Sequence, residues 1–403
     1  MEKRMNVVFL SLAQVSDING HGIYSDLLRK FRNEGHHVFV VCPCNQSRIH
    51  TSYEEKNGVV YLLVKTMDIQ KTNPLKKGIG ILLYERQFKQ AVKRHLNGVE
   101  FDLILYVTPP ITLAGVVKYL KEKNPKALSY LMLKDIFPQN AVDIGMLSKK
   151  SPIYWYFRMK ERQLYRQSDF IGCMSLANVE YIRSHEWYYP KEHVEVAPNS
   201  IELQDEGDVV SKDILRKYGI PTHVPIFVYG GNLGKPQGID YLIRCLDKNR
   251  NRQDCFFLVI GSGTEYSKLE QWISRNTLNN MKLMRGLPKK DYDQIVSCCD
   301  VGLIFLDYRF TIPNYPSRLL SYLEHKIPVI CATDVCTDIG RIAETNGYGY
   351  WCESVRPEDF TALVDKMLCA DRKQMGERGY QFLKRNYLVE HTYELVVRHF
   401  SKM

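Results

Sequence analysis

Short apolar runs alternate along the chain with longer stretches in which apolar residues recur every three or four positions. In the first half, the short runs predict strands at 6–12, 38–41, 59–64, 103–107, 128–133 and 170–174. The longer stretches predict helices at 22–34, 79–97, 111–123 and 151–167. Strands separated by helices of this length predict right-handed βαβ units and a parallel, doubly wound sheet.

The same alternation restarts in the second half, after a polar stretch at 202–213 that is the best candidate for a linker. Strands are predicted at 226–229, 256–260, 282–284, 301–305 and 329–331. Helices are predicted at 237–248, 264–276, 289–298, 316–325 and 357–369. The sequence thus predicts an α/β protein with Rossmann-like domains at 1–200 and 201–385, and a C-terminal helix in 386–403 that packs back towards the first domain.

Two facing domains of this kind would bring the carboxyl ends of both sheets to one interdomain cleft. Ligands of open α/β sheets bind at the carboxyl ends of the strands. The candidate chemistry is therefore expected in loops that follow strands.

Composition and cysteine content predict that the protein is cytoplasmic. Of the 403 residues 45% are hydrophobic, and no run of about 18 apolar residues predicts a membrane span or a signal peptide. Eleven cysteines form an odd set without zinc spacing, which indicates a reducing compartment.

The positive charge is concentrated in the first half. Residues 1–200 hold 28 Lys and Arg against 19 Asp and Glu, whereas residues 201–403 hold 27 against 26. The first half is therefore expected to meet anions, and the candidates are lipid head groups, a phosphorylated substrate and nucleic acid. No recognisable nucleic-acid module is present, so nucleic acid is not an expected partner.

Glycine-rich loops follow the first two strands of the second half. The loop 230–238 contains Lys235, and Gly261 and Gly263 follow the next strand. Glycines let backbone amides approach a phosphate, and the helix that follows favours its charge. Close packing of the backbone is the alternative, and the glycine spacing does not match a dinucleotide fingerprint.

The segment 313–331 combines a loop, a helix start and a buried strand. Prolines at 313 and 316 exclude regular structure, and Ser317 is then expected to cap a helix whose first turn holds Arg318. A guanidinium at this position suits a phosphate.

Taken together, the motifs resemble a known enzyme family. The resemblance rests on YGGNLGKPQGID, VIGSGTE, LMRGLPKKDY, DVGLIFL and YPSRLLSYLEHKIPVI in the second half, and on KDIFPQNAVDIGML, RMKERQLYRQSDFIGCMS and VEVAPNSI in the first. In this order they resemble the GT-B fold glycosyltransferases of family 4, in the bacterial branch that builds capsule, exopolysaccharide and O-antigen units.

The resemblance implies a set of site residues. Those expected at the nucleotide-sugar donor are Gly20, His21, Gly22, Gly231, Asn232, Lys235, Gly261, Gly263, Arg285, Gly286, Ser317, Ser321 and Glu324. Arg318 would stabilise the leaving diphosphate, and Asp135 would orient the acceptor or the reacting sugar. Both are the implied catalytic residues.

The chain departs from the family pattern at one position. The family usually has two glutamates separated by seven residues, and the matching positions here are Pro313 and Ser321. Glu324, three residues further along the same helix, is expected to replace the second glutamate in part.

The implied reaction is transfer of a hexosyl or N-acetylhexosaminyl group from a UDP-sugar, with retention of configuration and without a metal or other cofactor. Asp291-Tyr292-Asp293 matches an Asp-x-Asp metal motif, but its place at a helix start is explained better by the helix dipole. The expected acceptor is a polyprenyl diphosphate-linked saccharide at the inner face of the plasma membrane.

A membrane surface is suggested by a basic segment at 73–96. Its cations include Lys76, Lys77, Arg86, Lys89 and Lys93, placed beside apolar residues such as Phe88 and Val92. Aromatic residues at 153–157 suit the same interface. A core helix with a solvated charged side is the alternative for each segment.

Two other functions share parts of this pattern. Sugar-nucleotide epimerases also have two Rossmann-like domains, but they need several acidic or histidine groups around the sugar, and only Asp135 and His21 are candidates here. A catalytically weak GT-B-like partner protein is the other alternative, because the second glutamate is missing.

Overall fold

The structure is a computed structural model. It describes residues 4–44, 50–66, 74–204, 212–276 and 278–400, and for 74–82 it describes the backbone only. The chain divides into two compact units: unit 1 comprises 1–202 with 389–403, and unit 2 comprises 203–388. The linker predicted at 202–213 contains this boundary, and its part 205–211 lies outside the described residues.

Unit 1 is built on an eight-stranded sheet. The strands are β1 (Asn6–Leu10), β2 (His37–Pro43), β3 (Ser52–Lys56), β4 (Val59–Val64), β5 (Leu103–Val107), β6 (Leu128–Leu133), β7 (Phe170–Cys173) and β8 (Val194–Val196). They lie in the order β3-β4-β2-β1-β5-β6-β7-β8, with β3 antiparallel to β4 and every other pair parallel.

Helices connect the strands of unit 1. They are α1 (Ile23–Asn33), α2 (Pro74–His95), α3 (Ala114–Lys123), α4 (Gln139–Asp143), α5 (Pro152–Arg166) and α6 (Leu176–His185). Short 3-10 turns at Ile111–Leu113 and Lys191–His193 precede α3 and β8. The predicted doubly wound sheet is present, because central strands such as β1, β5 and β6 are buried on both sides.

Unit 2 repeats this architecture with six parallel strands. They are β9 (Ile226–Asn232), β10 (Phe256–Ser262), β11 (Met281–Met284), β12 (Val301–Phe305), β13 (Val329–Thr333) and β14 (Gly349–Glu353), in the order β11-β10-β9-β12-β13-β14. Its helices are α7 (Asp213–Lys217), α8 (Ile239–Lys248), α9 (Tyr266–Ser274), α10 (Lys289–Ser297), α11 (Arg318–Glu324), α12 (Ile339–Thr345), α13 (Pro357–Cys369) and α14 (Arg372–Asn386). A 3-10 turn at Lys235–Gln237 precedes α8.

The last helix, α15 (Val389–Val397), belongs to unit 1. The Val389 amide donates to the Ile201 carbonyl at 3.1 Å, and the Thr392 hydroxyl donates to Ser200 Oγ at 2.8 Å. The Tyr393 hydroxyl lies 2.8 Å from His36 Nε2, and its ring packs edge-on against Phe31 of α1. The chain therefore completes the first unit only after it has built the second.

Helix α2 is the segment that the sequence suggested as a membrane anchor. Phe88 and Val92, expected beside its cations on a lipid-facing side, are instead fully buried in unit 1. Lys89 and Lys93 extend over the ring of Tyr119 in α3, with Nζ 5.7 and 5.1 Å from the ring centre. For the part of α2 around Phe88 and Val92, these contacts favour the alternative, a core helix with a charged outer side.

The other cations of this segment that were predicted to meet the membrane are Lys76, Lys77 and Arg86. The side chains of Lys76 and Lys77 lie outside the described residues, whereas Arg86 is exposed. Among the described residues, no helix combines the length and the apolar character that a bilayer span requires.

The contact between α15 and α1 is expected to be necessary for unit 1. Tyr393→Phe removes one buried hydroxyl and should lower the free energy of unfolding by about 1 kcal/mol. Tyr393→Ala also leaves a cavity and should lower it by about 3–5 kcal/mol. Urea unfolding measures both, and His391→Ala, an exposed change on the same helix, is the control. Equal stabilities for all three variants would contradict this role of α15.

Candidate functional site

The carboxyl ends of β9 and β10 in unit 2 lie side by side. Gly230, Gly231 and Asn232 of β9 pair in register with Ile260, Gly261 and Ser262 of β10. Both predicted loops therefore begin as continuations of the strands. Gly231 has a φ of +127°, which a residue with a side chain rarely adopts.

Arg318 lies directly beside this strand end. Its guanidinium stacks over the ring of Tyr229, with Cζ 4.3 Å from the ring centre. A Cβ built on Gly231 would lie 3.4 Å from Arg318 Nη2, so the guanidinium borders the backbone at this point. Within the described part of the chain, the buried Nη1 has no hydrogen-bond partner. A buried donor without a partner is unusual and indicates a ligand or water at this place.

Two tyrosines hold the strand end in position. The Tyr229 hydroxyl donates to the Asn232 carbonyl at 2.7 Å. The Tyr322 hydroxyl accepts from the Gly230 amide at 3.2 Å and donates to the Val228 carbonyl at 3.1 Å. The ring under Arg318 and the backbone beside it are therefore parts of one hydrogen-bonded unit.

Gln237 orders the loop that follows β9. Its Oε1 accepts from Asn232 Nδ2 at 3.0 Å and from the Gly234 amide at 3.2 Å. Lys235, in the same loop, is exposed and forms no ion pair within the residues described. Its ammonium group remains available to a ligand.

Packing explains the glycines at the carboxyl end of β10. A Cβ on Gly261 would lie 2.0 Å from the Gly231 carbonyl oxygen, and one on Gly263 would lie 2.3 Å from that of Leu233. The Leu233 amide donates to the Ser262 carbonyl at 2.8 Å. Close approach of two backbones is thus sufficient to require both residues, which was the alternative that the sequence left open.

Arg285 and Gly286 follow β11. Arg285 is exposed, stacks over Tyr266 with Cζ 4.2 Å from the ring centre, and approaches Glu270 at 3.4 Å. A Cβ on Gly286 would meet nothing within 4 Å in the described structure. The guanidinium face and the open backbone leave room for a planar ligand such as a nucleobase.

The start of α11 differs from its prediction. Ser317 has helical backbone angles, and its side chain forms no capping hydrogen bond within the residues described. Instead its carbonyl accepts from the Leu320 amide at 3.1 Å. The helical geometry already includes Ser317, so the prediction that Ser317 caps the helix with its side chain is wrong.

Ser321 and Glu324 lie at different points along α11. Ser321 is the middle residue of this seven-residue helix, one turn after Arg318. Glu324 is the last residue of α11, where the chain turns towards the amino end of β13, and its Oε1 accepts from the Gln204 amide at 3.4 Å. Glu324 lies six residues after Arg318 on α11, and its replacement of the missing family glutamate stays a prediction.

In unit 1 the loop after β1 holds a histidine in a fixed orientation. His21 Nδ1 lies 3.0 Å from Oδ2 of Asp26, which is fully buried in α1. Asp26 also accepts from the Gly22 amide at 3.0 Å and from Arg29 Nη2 at 2.7 Å. Burial alone would raise the pKa of Asp26, but the hydrogen bonds from His21 and Gly22 outweigh it and lower the pKa.

Asp26 was not recognised from the sequence. Its only signal is its position four residues after Gly22 in the first turn of α1, where an acidic residue is common for helix stability alone. The contact between Nδ1 of His21 and this carboxylate fixes the orientation of the imidazole ring.

The backbone of the same loop is tied down and borders open space. Arg29 Nη1 donates to the carbonyl of Gly20 at 3.1 Å, and its Nε donates to Glu202 at 2.7 Å. A Cβ on Gly20 or Gly22 would meet nothing within 4 Å in the described structure. Here, in contrast to Gly261 and Gly263, packing does not require the glycines.

Asp135 lies just after β6, at the carboxyl edge of the unit 1 sheet. Burial raises the pKa of Asp135 from 3.8 to about 6. Its charge also contributes to the raised pKa of Tyr24 in α1, after burial of that tyrosine, so the two side chains are neighbours. A carboxyl group that titrates near neutral pH suits the role predicted for it.

The two acids of the Asp-x-Asp sequence in unit 2 form hydrogen bonds or ion pairs with neighbouring side chains. Asp291 accepts from Tyr218 and lies 2.9 Å from Lys217, and Asp293 lies 2.7 Å from Lys289. These partners agree with an ordinary surface role for the Asp-x-Asp sequence.

Comparison with known proteins identifies the second unit. Residues 210–382 match the family model of the glycosyl transferases group 1. This match spans all six strands of unit 2, β9 to β14, together with Arg318 and the glycine loops. Residues 210–382 are a glycosyl transferases group 1 domain.

Two relatives extend the similarity beyond this domain. WbjE of Pseudomonas aeruginosa, which is named as a glycosyltransferase, is 22% identical over 322 residues, covering 79% of this chain and 78% of WbjE. WcaI of Escherichia coli K12, which is named for colanic acid biosynthesis, is 27% identical over 275 residues, covering 65% of this chain and 64% of WcaI. The prediction that the chain is a glycosyltransferase is confirmed.

Solved structures show the same fold along the whole chain. HepE (Alr3699) of Anabaena, solved in complex with UDP-glucose, superposes with a TM-score of 0.69 at 14% identity, covering 99% of this chain and all of HepE. The GT-B fold predicted from the motifs is therefore confirmed.

The raised pKa of Asp135 predicts a pH-dependent effect of Asp135→Asn on stability. Because the folded pKa lies above the value of 3.8, the folded protein favours the protonated carboxyl, and this stabilising contribution is lost as the pH rises through about 6. Relative to the wild type, Asp135→Asn should gain about 2–3 kcal/mol between pH 4 and pH 7.5. Urea unfolding across this range measures the difference. A difference that does not change with pH would show that Asp135 is not held in this environment.

Proposed function

We propose that the protein is a retaining glycosyltransferase that moves a sugar from a UDP-sugar to a lipid-linked saccharide during synthesis of a bacterial surface polysaccharide. The observation that carries the donor part is Arg318, whose guanidinium lies beside Gly231 at the end of β9 and whose Nη1 has no hydrogen-bond partner among the described residues. HepE, a structural neighbour, binds UDP-glucose. The name of WcaI, which refers to colanic acid biosynthesis, supports the polysaccharide part.

The proposed reaction exchanges one bond at the anomeric carbon. The bond from this carbon to the diphosphate oxygen breaks, and a new bond forms to an acceptor hydroxyl on the same face of the sugar. The departing phosphate takes the hydroxyl proton, so no separate base is needed. Negative charge grows on the diphosphate as it leaves, and Arg318 provides a fixed positive charge for it. A metal ion is not required in this scheme.

Residues of the two units have different roles in the proposal. Arg318, Lys235 and the amides near Gly231 bind the diphosphate, and Arg285 lies beside the nucleobase. Asp135 and the oriented His21 of unit 1 act on the sugar or on the acceptor hydroxyl. Ser321 offers only a neutral hydrogen bond to a ribose hydroxyl, which is roughly half as strong as one from a carboxylate.

The function can be tested with a panel of nucleotide sugars and bacterial lipid extract. We expect release of UDP that depends on the lipid, and Arg318→Met should lower the turnover by at least tenfold because a charged donor to phosphate is lost. Arg250→Met, which removes an exposed arginine of unit 2, is the control and should retain normal turnover. Interconversion of the sugars without lipid would instead favour an epimerase. Binding of UDP-sugar without any turnover would favour the partner protein.

A lipid-linked acceptor requires contact with a membrane, and unit 1 offers a surface for it on α5. Trp155 and Met159 lie one turn apart, with exposed fractions of 59% and 46%, and the exposed Arg162 and Arg166 continue the same stripe. We call these four residues the α5 stripe. Trp187, near the end of α6, is 83% exposed.

The charges around the α5 stripe suit an anionic lipid surface. Between residues 145 and 166, the exposed charged residues are Lys149, Lys150, Arg162 and Arg166, and the acidic Glu161 is buried against Arg158. Exposed aromatic and aliphatic side chains next to cations are typical of helices that lie at a membrane surface. We therefore propose an anionic bilayer as the partner of this stripe.

Sedimentation with vesicles tests this surface. Trp155→Glu combined with Met159→Glu should reduce binding to vesicles that contain phosphatidylglycerol by at least tenfold, because two apolar side chains no longer enter the lipid. The control is Lys89→Glu with Lys93→Glu on α2, which should change binding less. The reverse order of the two effects would return the membrane contact to α2, and unchanged binding in both would remove it from unit 1.

A further inference from the structure

A lysine at the carboxyl edge of the unit 1 sheet has no assigned role. Lys134 follows β6 directly, and its amide donates to Thr108 Oγ1 in the loop after β5 at 3.0 Å. Its Nζ is buried and has no hydrogen-bond partner in the described part of the chain. Lysines normally extend their ammonium group into water, so this arrangement is unusual.

The neighbouring carboxyl group does not neutralise Lys134. Burial lowers the pKa of Lys134 to about 7, and the Cys173 thiol at the end of β7 acts in the opposite direction. Burial alone raises the pKa of Asp135, without a contribution from Lys134. The two residues are adjacent in the loop that begins directly after β6.

Within the described residues, other buried polar atoms at the same edge also lack hydrogen-bond partners. They are Thr112 Oγ1 after β5, Asn140 Oδ1 in α4 after β6 and Asn199 Oδ1 after β8. Parallel strands bring these positions to one edge of the sheet. Native proteins leave few buried polar groups unpaired, and several at one edge indicate a polar ligand.

An unpaired buried ammonium group is costly, and an anion would remove that cost. Transfer of a charge into a protein interior without a partner is strongly unfavourable, so the amine either loses its proton or binds an opposite charge. Hydroxyl and amide groups nearby are suited to the hydroxyls of a sugar. This combination of groups matches a sugar that carries a phosphate or a carboxylate.

We propose that Lys134 binds an anionic group, a phosphate or a carboxylate, of a substrate held at the carboxyl edge of the unit 1 sheet. Thr112 and Asn140 receive hydroxyl groups of the same molecule. The anion is either part of the acceptor or the diphosphate of the donor. Only this choice rests on the proposed function, because the site itself is defined by the residues of unit 1.

Calorimetric titration of the full chain tests the site without any need for turnover. The first titration measures UDP, and the second measures inorganic pyrophosphate added to protein that is saturated with UDP. We expect pyrophosphate to bind the wild type in the second titration, and Lys134→Met to weaken this binding by at least tenfold. If Lys134→Met instead weakens the binding of UDP by at least tenfold, the bound anion is the donor diphosphate. If both titrations are unchanged, the proposal is overturned.

Three further measurements make the result specific. Lys118→Met removes an exposed lysine of α3, which lies 3.8 Å from Glu122, and should leave both titrations unchanged. If the anion belongs to the acceptor, Arg318→Met should weaken the binding of UDP. It should leave unchanged the effect of Lys134→Met on the binding of pyrophosphate. In urea unfolding without ligand, Lys134→Met should be at least as stable as the wild type, because it removes a buried amine without a partner. A less stable Lys134→Met would contradict the assignment and indicate a structural role.

Discussion

The parallel arrangement of the strands is the constraint on which the functional parts of both units depend. Each strand of a parallel sheet ends at the same edge as its neighbours, so residues that are far apart in sequence meet there without any special device. In unit 2 this brings Gly231 next to Gly261 and places α11, with Arg318, beside them. In unit 1 it brings the loops after β5 and β6 together, where Thr108 accepts from the Lys134 amide. The polar groups lie at this edge because the strands that lead to it are buried and mostly apolar.

A second element of order in unit 1 is the buried carboxylate of Asp26. A buried charge is tolerated only when several donors surround it, and Asp26 has His21, Arg29 and the Gly22 amide, together with the Glu202 amide at 3.1 Å. The same interactions that stabilise the charge also fix the loop after β1 and the backbone at Glu202, where the chain leaves unit 1. One buried group thus couples the orientation of a candidate site residue, His21, to the integrity of the fold.

The sequence predicted elements well where burial is continuous and poorly where it is not. The strands β4, β5, β6 and β12 have the predicted bounds because each is an apolar run interrupted by at most one small residue, Ser129 in β6 and Gly302 in β12. The edge strand β3, with the sequence SYEEK, was missed because its residues are mostly polar, and β14 was missed because its apolar run is short and flanked by glycine and glutamate. The glycines show the same limit at the level of the site. Those at 261 and 263 are required by backbone packing and those at 20 and 22 are not, a difference that depends on atoms distant in sequence.

Arg318 and Lys134 show how two different cations can be kept ready for an anion. A guanidinium remains charged at any accessible pH, so Arg318 needs a substitute for water, which the face of Tyr229 supplies. An ammonium group can lose its proton, and burial brings the pKa of Lys134 to about 7. Arg318 is therefore a permanent charge in a polarisable environment, suited to negative charge that grows during a reaction. Lys134 acquires its full charge when an anion arrives, which makes binding and protonation two parts of the same event.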